Sequence, residues 1–275
     1  DYLAPPMSRP ASPGRPLVAL GLATLLLLAG CDVAQFTANS TAGLFERAAP
    51  AIQSHWDYEL VGRSNPGNIL QLEGLVAVSP DNETLLLLLA KAYVAHAYGW
   101  IEDEVEAAER GGKYEVAEAL RDRARRMYRR ARDLTFRVIR RRADGFDEAR
   151  RSVDALGPWL EAEMDDDDAE VLFWAGNAWG SVIKVSLDDP NAVADLSLVK
   201  AVMRRAVALD ETVENASGLV FLAAAACVSP AIGGDPDEGE RLFARAFELT
   251  DREVFLVHVN YAMSCAVLNQ DRERY

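Results

Sequence analysis

Cysteine and histidine are scarce in this 275-residue chain, at three residues each. The histidines, His55, His96 and His258, are far apart, and no cysteine or histidine cluster has the spacing of a metal site. So few cysteines also exclude a fold built on a disulfide framework. Positive charge is in deficit: 29 Lys and Arg stand against 43 Asp and Glu, for a formal charge of -14. A chain this acidic is not a nucleic-acid binder. Enzyme signatures are missing as well, with no G-x-S-x-G, G-x-G-x-x-G, phosphate-loop or H-E-x-x-H pattern. Neither catalysis nor a cofactor is expected. What the chain has in quantity is apolar material, 50% of residues, which rules out disorder over most of its length.

The chain begins with a targeting segment. Met7 is the start that fits, followed by Arg9 and Arg15, the apolar run Leu17 to Leu28, and Ala29-Gly30-Cys31. This ordering predicts a secretory signal peptide over residues 1–30. Leu28-Ala29-Gly30-Cys31 also resembles the bacterial lipobox, which makes Cys31 the expected lipidation site and the first residue of the mature protein. Asp32 resembles an inner-membrane retention residue, but the sorting rule varies and leaves the choice of membrane open. Cleavage removes Arg9, Arg15 and Asp1 and leaves the mature chain still more acidic.

Residues 31–66 read as a lipid-anchored tether and a first helix that includes Gly43 to Ile52 with an interruption at Pro50, closed by the punctuation Ser64-Asn65-Pro66-Gly67-Asn68. Residues 67–275 read as one helical domain. Its organising stretch is Leu85 to Ile101, LLLLLAKAYVAHAYGWI, apolar around nearly its whole circumference. It approaches the length of a membrane span, yet Lys91 sits near its middle and acidic residues flank both ends. A buried helix of a soluble α-protein is the better reading, and its surplus apolar surface calls for a second protein layer or a ligand.

The pattern then repeats. Tyr114 to Ile139 is long, amphipathic and arginine-rich; Val171 to Val185 is apolar and Leu198 to Leu209 amphipathic; Ala216 to Val228 is apolar and Glu238 to Leu249 amphipathic. Val254 to Leu268 opens a further unit without a partner helix, which reads as a truncated C-terminus. The endings Arg204 to Asp210 and Ala244 to Thr250 match at a 40-residue offset. These are tetratricopeptide-like helix pairs, whose usual period is about 34, stretched by the loop Ser229 to Pro236. The expected fold is an all-α, irregular superhelix of helix pairs, with the apolar first helices lining the concave face.

On that face Tyr93, Trp100, Trp174, Trp179 and Phe221 are candidates to line an apolar ligand site; the competing reading makes such aromatics core residues packed against small neighbours such as Ala175, Gly176 and Gly180. His96 and His258 read as hydrogen-bonded core histidines. Cys227 and Cys265 are either buried thiols or a disulfide. Arg121 to Arg142 holds eleven arginines, a solvated outer face or a patch for anionic partners. The acidic run Asp165 to Asp168 precedes a helix and reads as a cap.

Several of these segments resemble one family: Ser64-Asn65-Pro66 with Leu72-Glu73-Gly74-Leu75, the run SPDNETLLLLLAKAYVAHAYGWIEDE, FWAGNAWGSVIKVSLDDPNAVADL, and Gly233-Gly234-Asp235-Pro236. They look like the T component of tetratricopeptide-associated TRAP transporters, over roughly residues 64 to 270. The resemblance implies a periplasmic, membrane-anchored lipoprotein, a homo-trimer with apolar pores, that associates with the transporter's solute-binding P component, with a hydrophobic small molecule as its ligand. The alternative is a tetratricopeptide scaffold lipoprotein for envelope protein-protein interactions. A hydrophobe carrier acting alone shares the cavity but needs no transporter.

Overall fold

The computed structural model describes residues 33–228 and 234–267; the leader, Cys31 and the last eight residues lie outside the described residues, as does most of the loop Ser229 to Pro236. Among the described residues the chain is all helical. The elements are α1 (Val33–Gln53), α2 (Tyr58–Val78), α3 (Glu83–His96), α4 (Glu102–Arg110), α5 (Tyr114–Arg142), α6 (Phe146–Ala149), α7 (Val153–Glu163), α8 (Ala169–Lys184), α9 (Pro190–Ala194), α10 (Leu196–Leu209), α11 (Val213–Ala226), α12 (Pro236–Leu249) and α13 (Phe255–Tyr261).

Local chemistry sets the starts. Asp57, Asn82 and Asp235 each accept a hydrogen bond from the backbone N–H three residues on, Leu60, Leu85 and Glu238, at 2.9, 2.9 and 3.0 Å. Pro236 follows its cap at the first helical position, where a missing N–H costs nothing. The acidic run works as a cap too: Asp168 Oδ2 accepts from the Asp165 N–H at 2.8 Å, and its other oxygen accepts from Arg142 at 2.8 Å.

Three expectations about helix extent are corrected. The Ser64 to Asn68 punctuation does not interrupt α2, which runs through Pro66. Proline removes one ladder bond and crowds the carbonyl four residues back, but that residue is Gly62, and Asn65 Nδ2 ties the segment to the Ala92 carbonyl of α3 at 3.2 Å. Pro50 likewise does not interrupt the first helix, which runs from Val33 to Gln53. The long apolar helix keeps α geometry only to His96; a π-turn, Ala97–Ile101, joins it to α4. Glu83–Arg110 is long and apolar enough to cross a membrane by composition, but half of its most apolar window is buried within the fold.

Helices pair and stack in the expected order. α3 packs on α5, α5 on α8, α8 on α10, α10 on α11 and α11 on α12, while the first helices α3, α8 and α11 also touch in turn. The result is a helical superhelix. Its main core, Leu85, Leu86 and Leu89 with Leu134, Ile139, Leu172, Val199 and Met203, runs from α1 through α10 to Leu222 of α11. At about 25 cal/mol per Å² of apolar surface, such fully enclosed leucines are the main stabilising material. A second cluster around Phe243, Phe247 and Val257 holds α11 to α13. Within it Cys227, which caps α11, is bonded to Cys265, with Cα atoms 5.1 Å apart. The sequence had left these two as thiols or a pair; they are a pair.

Small residues on α8 permit close helix crossings. A Cβ on Gly176 would meet the Met203 methyl at 2.9 Å. One on Gly180 would meet the Phe221 ring at 2.7 Å.

Candidate functional site

The first helices of three successive pairs are locked together at one point. Lys91 of α3 pairs with Glu170 of α8, and its ammonium lies 3.4 Å from Glu214 of α11 and 5.4 Å from the centroid of Trp174. The Trp174 indole N–H donates to Glu214 at 3.1 Å. Glu214 reaches this position from a left-handed turn: Glu214, Asn215 and Ala216 have φ of 50°, 57° and 61°. Such a run is costly for residues with a Cβ, and the lock lies where that cost is incurred.

Tyr93 lies two residues beyond Lys91 and has different partners. Its hydroxyl donates to Glu73 Oε1 at 2.8 Å, and the same carboxylate receives Arg130 Nε and Nη2 at 2.9 and 2.7 Å. The Arg130 hydrogen bonds hold the Glu73 carboxyl below its ordinary value, against the opposing effect of burial. Burial, with the adjacent carboxylate, pushes the Tyr93 hydroxyl up to about 12. Tyr93 is thus a permanently protonated donor.

Trp100 stands in the π-turn, stacked on Tyr58 at 5.0 Å and His96 at 5.7 Å between ring centroids. The Tyr58 hydroxyl donates to the Gly99 carbonyl. Trp100 Nε1 and His96 Nδ1 are buried with no hydrogen-bond partner among the described residues. Burial, reinforced by the Arg123 cation, lowers the His96 pKa and keeps the ring neutral. His96 is a core histidine, as expected, though without the hydrogen bond expected of it.

Trp179 is buried, edge-on to Phe136 at 5.2 Å, and its N–H donates to Asp195 at 2.9 Å. It lines an open cleft of about 150 Å³ together with Arg129, Arg132, Asp189, Asn191 and Asp195. Small-molecule sites run to about 300 Å³ and more and are mostly apolar, whereas this cleft is ringed by charge. Phe221 is half-buried, with its ring against Gly180. Each of the five candidate aromatics therefore has its own set of partners. Sequence reasoning missed Glu73, Asp195 and Glu214, the carboxylates that occupy three of the aromatic tips; they lie 16 to 40 residues from their partners in sequence, and no local pattern joins them.

The arginine band is largely an ion-pair surface that fastens α5 to its neighbours. Arg130 reaches Glu73, Arg140 Asp147, Arg141 Asp81 and Arg142 both Glu83 and Asp168. Arg125 crosses to the end of α8, donating to Ser186 Oγ and the Val185 carbonyl, both at 2.9 Å.

Among the described residues no group of His, Cys, Asp and Glu could hold a metal ion. Stacked helix pairs, first helices side by side and a charged lock across them define an all-α superhelical protein whose polar groups are spent on holding helices together. The chain belongs to the TRAP transporter T-component family, which matches residues 54–275. That family is an accessory part of a transporter and not a known enzyme. No curated protein matches the chain.

Proposed function

We propose that the protein is the periplasmic, lipid-anchored accessory component of a TRAP transporter, a tetratricopeptide-like scaffold that docks the solute-binding P component on its concave face. The observation that carries this reading is the Lys91–Glu170–Glu214–Trp174 lock, which joins three first helices into one continuous surface. A docking face must hold its shape against the partner, and an ion-pair network spanning three helices supplies that rigidity. The Cys227–Cys265 bond supports an oxidising compartment such as the periplasm. Cys31, outside the described residues, is the acylation site in this reading.

The test is capture of a solute-binding component from detergent extract by the full-length protein. Glu170→Lys, which puts a second cation beside Lys91, should weaken capture about tenfold; repeated failure of the unaltered protein to bring down such a component rejects the proposal.

A hydrophobic ligand, held by an apolar pocket within the chain or a pore between three copies, belongs to the same proposal. Within one chain Trp100 leaves no room for it, because its Nε1 is buried against Gly62. Tyr93, Trp174, Trp179 and Phe221 would contribute only ring faces. Native mass spectrometry before and after delipidation reads both the trimer and the bound species. The alternative of a general envelope scaffold is favoured by one observation: the polar tips of Tyr93, Trp174 and Trp179 are already taken by carboxylates. It predicts a clean, ligand-free mass in both preparations.

A further inference from the structure

Helix α1 is apolar on two opposite faces. At about 100° per residue, Ala38, Ala42, Phe45 and Ala49 share the arc that packs on α2 and α3. Asn39 fixes the rotation of the helix, accepting from Ser79 Oγ at 2.6 Å and Asn82 Nδ2 at 2.8 Å. The opposite arc carries Val33, Phe36, Ser40, Leu44, Ala48 and Ala51, all exposed, with Arg47 as its only ionisable residue. Phe36 is 70% exposed, and Trp56, just past the end of α1, is 87% exposed.

The hydroxyl donors on this side are already satisfied. Thr37, Ser40 and Thr41 donate back to the carbonyls of Val33, Phe36 and Thr37 at 2.8, 2.9 and 2.8 Å, and Arg47 Nε donates to the Gly43 carbonyl at 3.1 Å. The three hydroxyls can leave water without losing a donor's bond, while the rest of the Arg47 guanidinium, at the end of a long stem, stays at the headgroup level.

The upstream chain identifies the occupant. Cys31 precedes Val33 by two residues, at most about 7 Å of extended backbone. An acyl anchor on Cys31, or the Leu17 to Leu28 run itself if retained, holds the start of α1 at a bilayer. We propose that α1 lies in the plane of that membrane, about 30 Å long, with Phe36, Leu44 and Trp56 seated at the boundary of headgroups and acyl chains. The face fits zwitterionic lipid, because a single arginine on a chain of formal charge -14 gives no attraction to anionic headgroups. This inference rests on the membrane-anchored reading above.

The test uses the acylated protein in phosphatidylcholine vesicles containing lipid brominated near the top of its acyl chains. Subtracting the emission of Trp56→Phe isolates Trp56 from the other tryptophans. Its signal should be quenched by more than half and shifted to the blue, and Phe36→Ser with Leu44→Ser should relieve most of the quenching. The chain from residue 31 with Cys31→Ser should still partition onto the vesicles, at least tenfold less with Phe36→Ser and Leu44→Ser, and with little response to salt. Trp56 unaffected by brominated lipid in the anchored protein overturns the proposal. So does a blue shift that depends on protein concentration without vesicles, which would mean that a second copy covers the face. A mass showing no acyl group on Cys31, together with quenching in the unanchored chain, would reject the lipid anchor and keep the in-plane helix.

Discussion

Glu73 and Arg130 form a two-pronged pair, Nε and Nη2 at 2.9 and 2.7 Å from the two carboxylate oxygens, and the pair clamps α2 to α5 across the Tyr93 hydroxyl. Hydrogen bonds to a charged group contribute about 1.5–3 kcal/mol, less when solvent reaches them. Glu73→Gln should therefore cost about 1–2 kcal/mol in urea unfolding. Because Glu73 in the folded chain is held below its ordinary value near 4.5, its contribution is complete above about pH 4.5 and is lost as pH falls below that. The variant should lose less stability than the parent on acidification over this range.

Gly62 and Gly67 lie in the same helix and should respond to alanine with opposite signs. A Cβ at Gly62 would fall 2.2 Å from Trp100 Nε1, so α2 must move away from the π-turn; at Gly67 nothing lies within 4 Å. Gly62→Ala should cost about 2–3 kcal/mol, and Gly67→Ala should gain about 0.5–1 kcal/mol from reduced backbone freedom. Thermal melts of the two variants decide it.

The Cys227–Cys265 bond closes a loop of 38 residues. Chain-entropy arguments give such a loop about 3–4 kcal/mol. Reduction should lower the melting temperature, and hydrogen exchange should show the gain in opening within α11 to α13, which the cluster around Phe243 and Phe247 holds together. A uniform change over all helices would contradict this.

His96 supplies a second pH dependence. Its ring is 5% exposed and held below its ordinary value by burial and by Arg123. The unfolded chain therefore takes up the proton first as pH falls, so stability is full above about 6.5 and declines below it. His96→Gln should flatten the difference between urea midpoints at pH 7.5 and 5.5.

The alternation of apolar and amphipathic helices was readable because burial on all sides or on one side leaves a periodic mark in sequence. Helix ends were less so. Gly112, with φ of 69°, closes α4 with the Lys113 N–H bonded to the Ala108 carbonyl at 2.8 Å. Asp251, with φ of 49°, closes α12 in the same way through Arg252 and Phe247. Only the first announces itself by a glycine. Pro66 and Pro50 misled in the other direction, since a proline inside a helix is tolerated when the surrounding contacts absorb the lost bond. At the candidate site the aromatics could be named in advance because they stand on the apolar helices. Their carboxylate partners could not: Glu73, Asp195 and Glu214 are brought to them by packing of other elements, and long-range pairing of this kind is not periodic.

The π-turn at Ala97–Ile101 is one residue of surplus in an otherwise continuous rod. One residue is about 100° of rotation, so the turn resets the phase of everything after it. Val105 and Ala108 face α5 because of that reset, and removing a single residue there would swing the acidic side of α4 into the position they occupy. A second such turn, Ala262–Ala266, ends the last described helix. Between α3 and α4 the device is a change of azimuth without a change of direction.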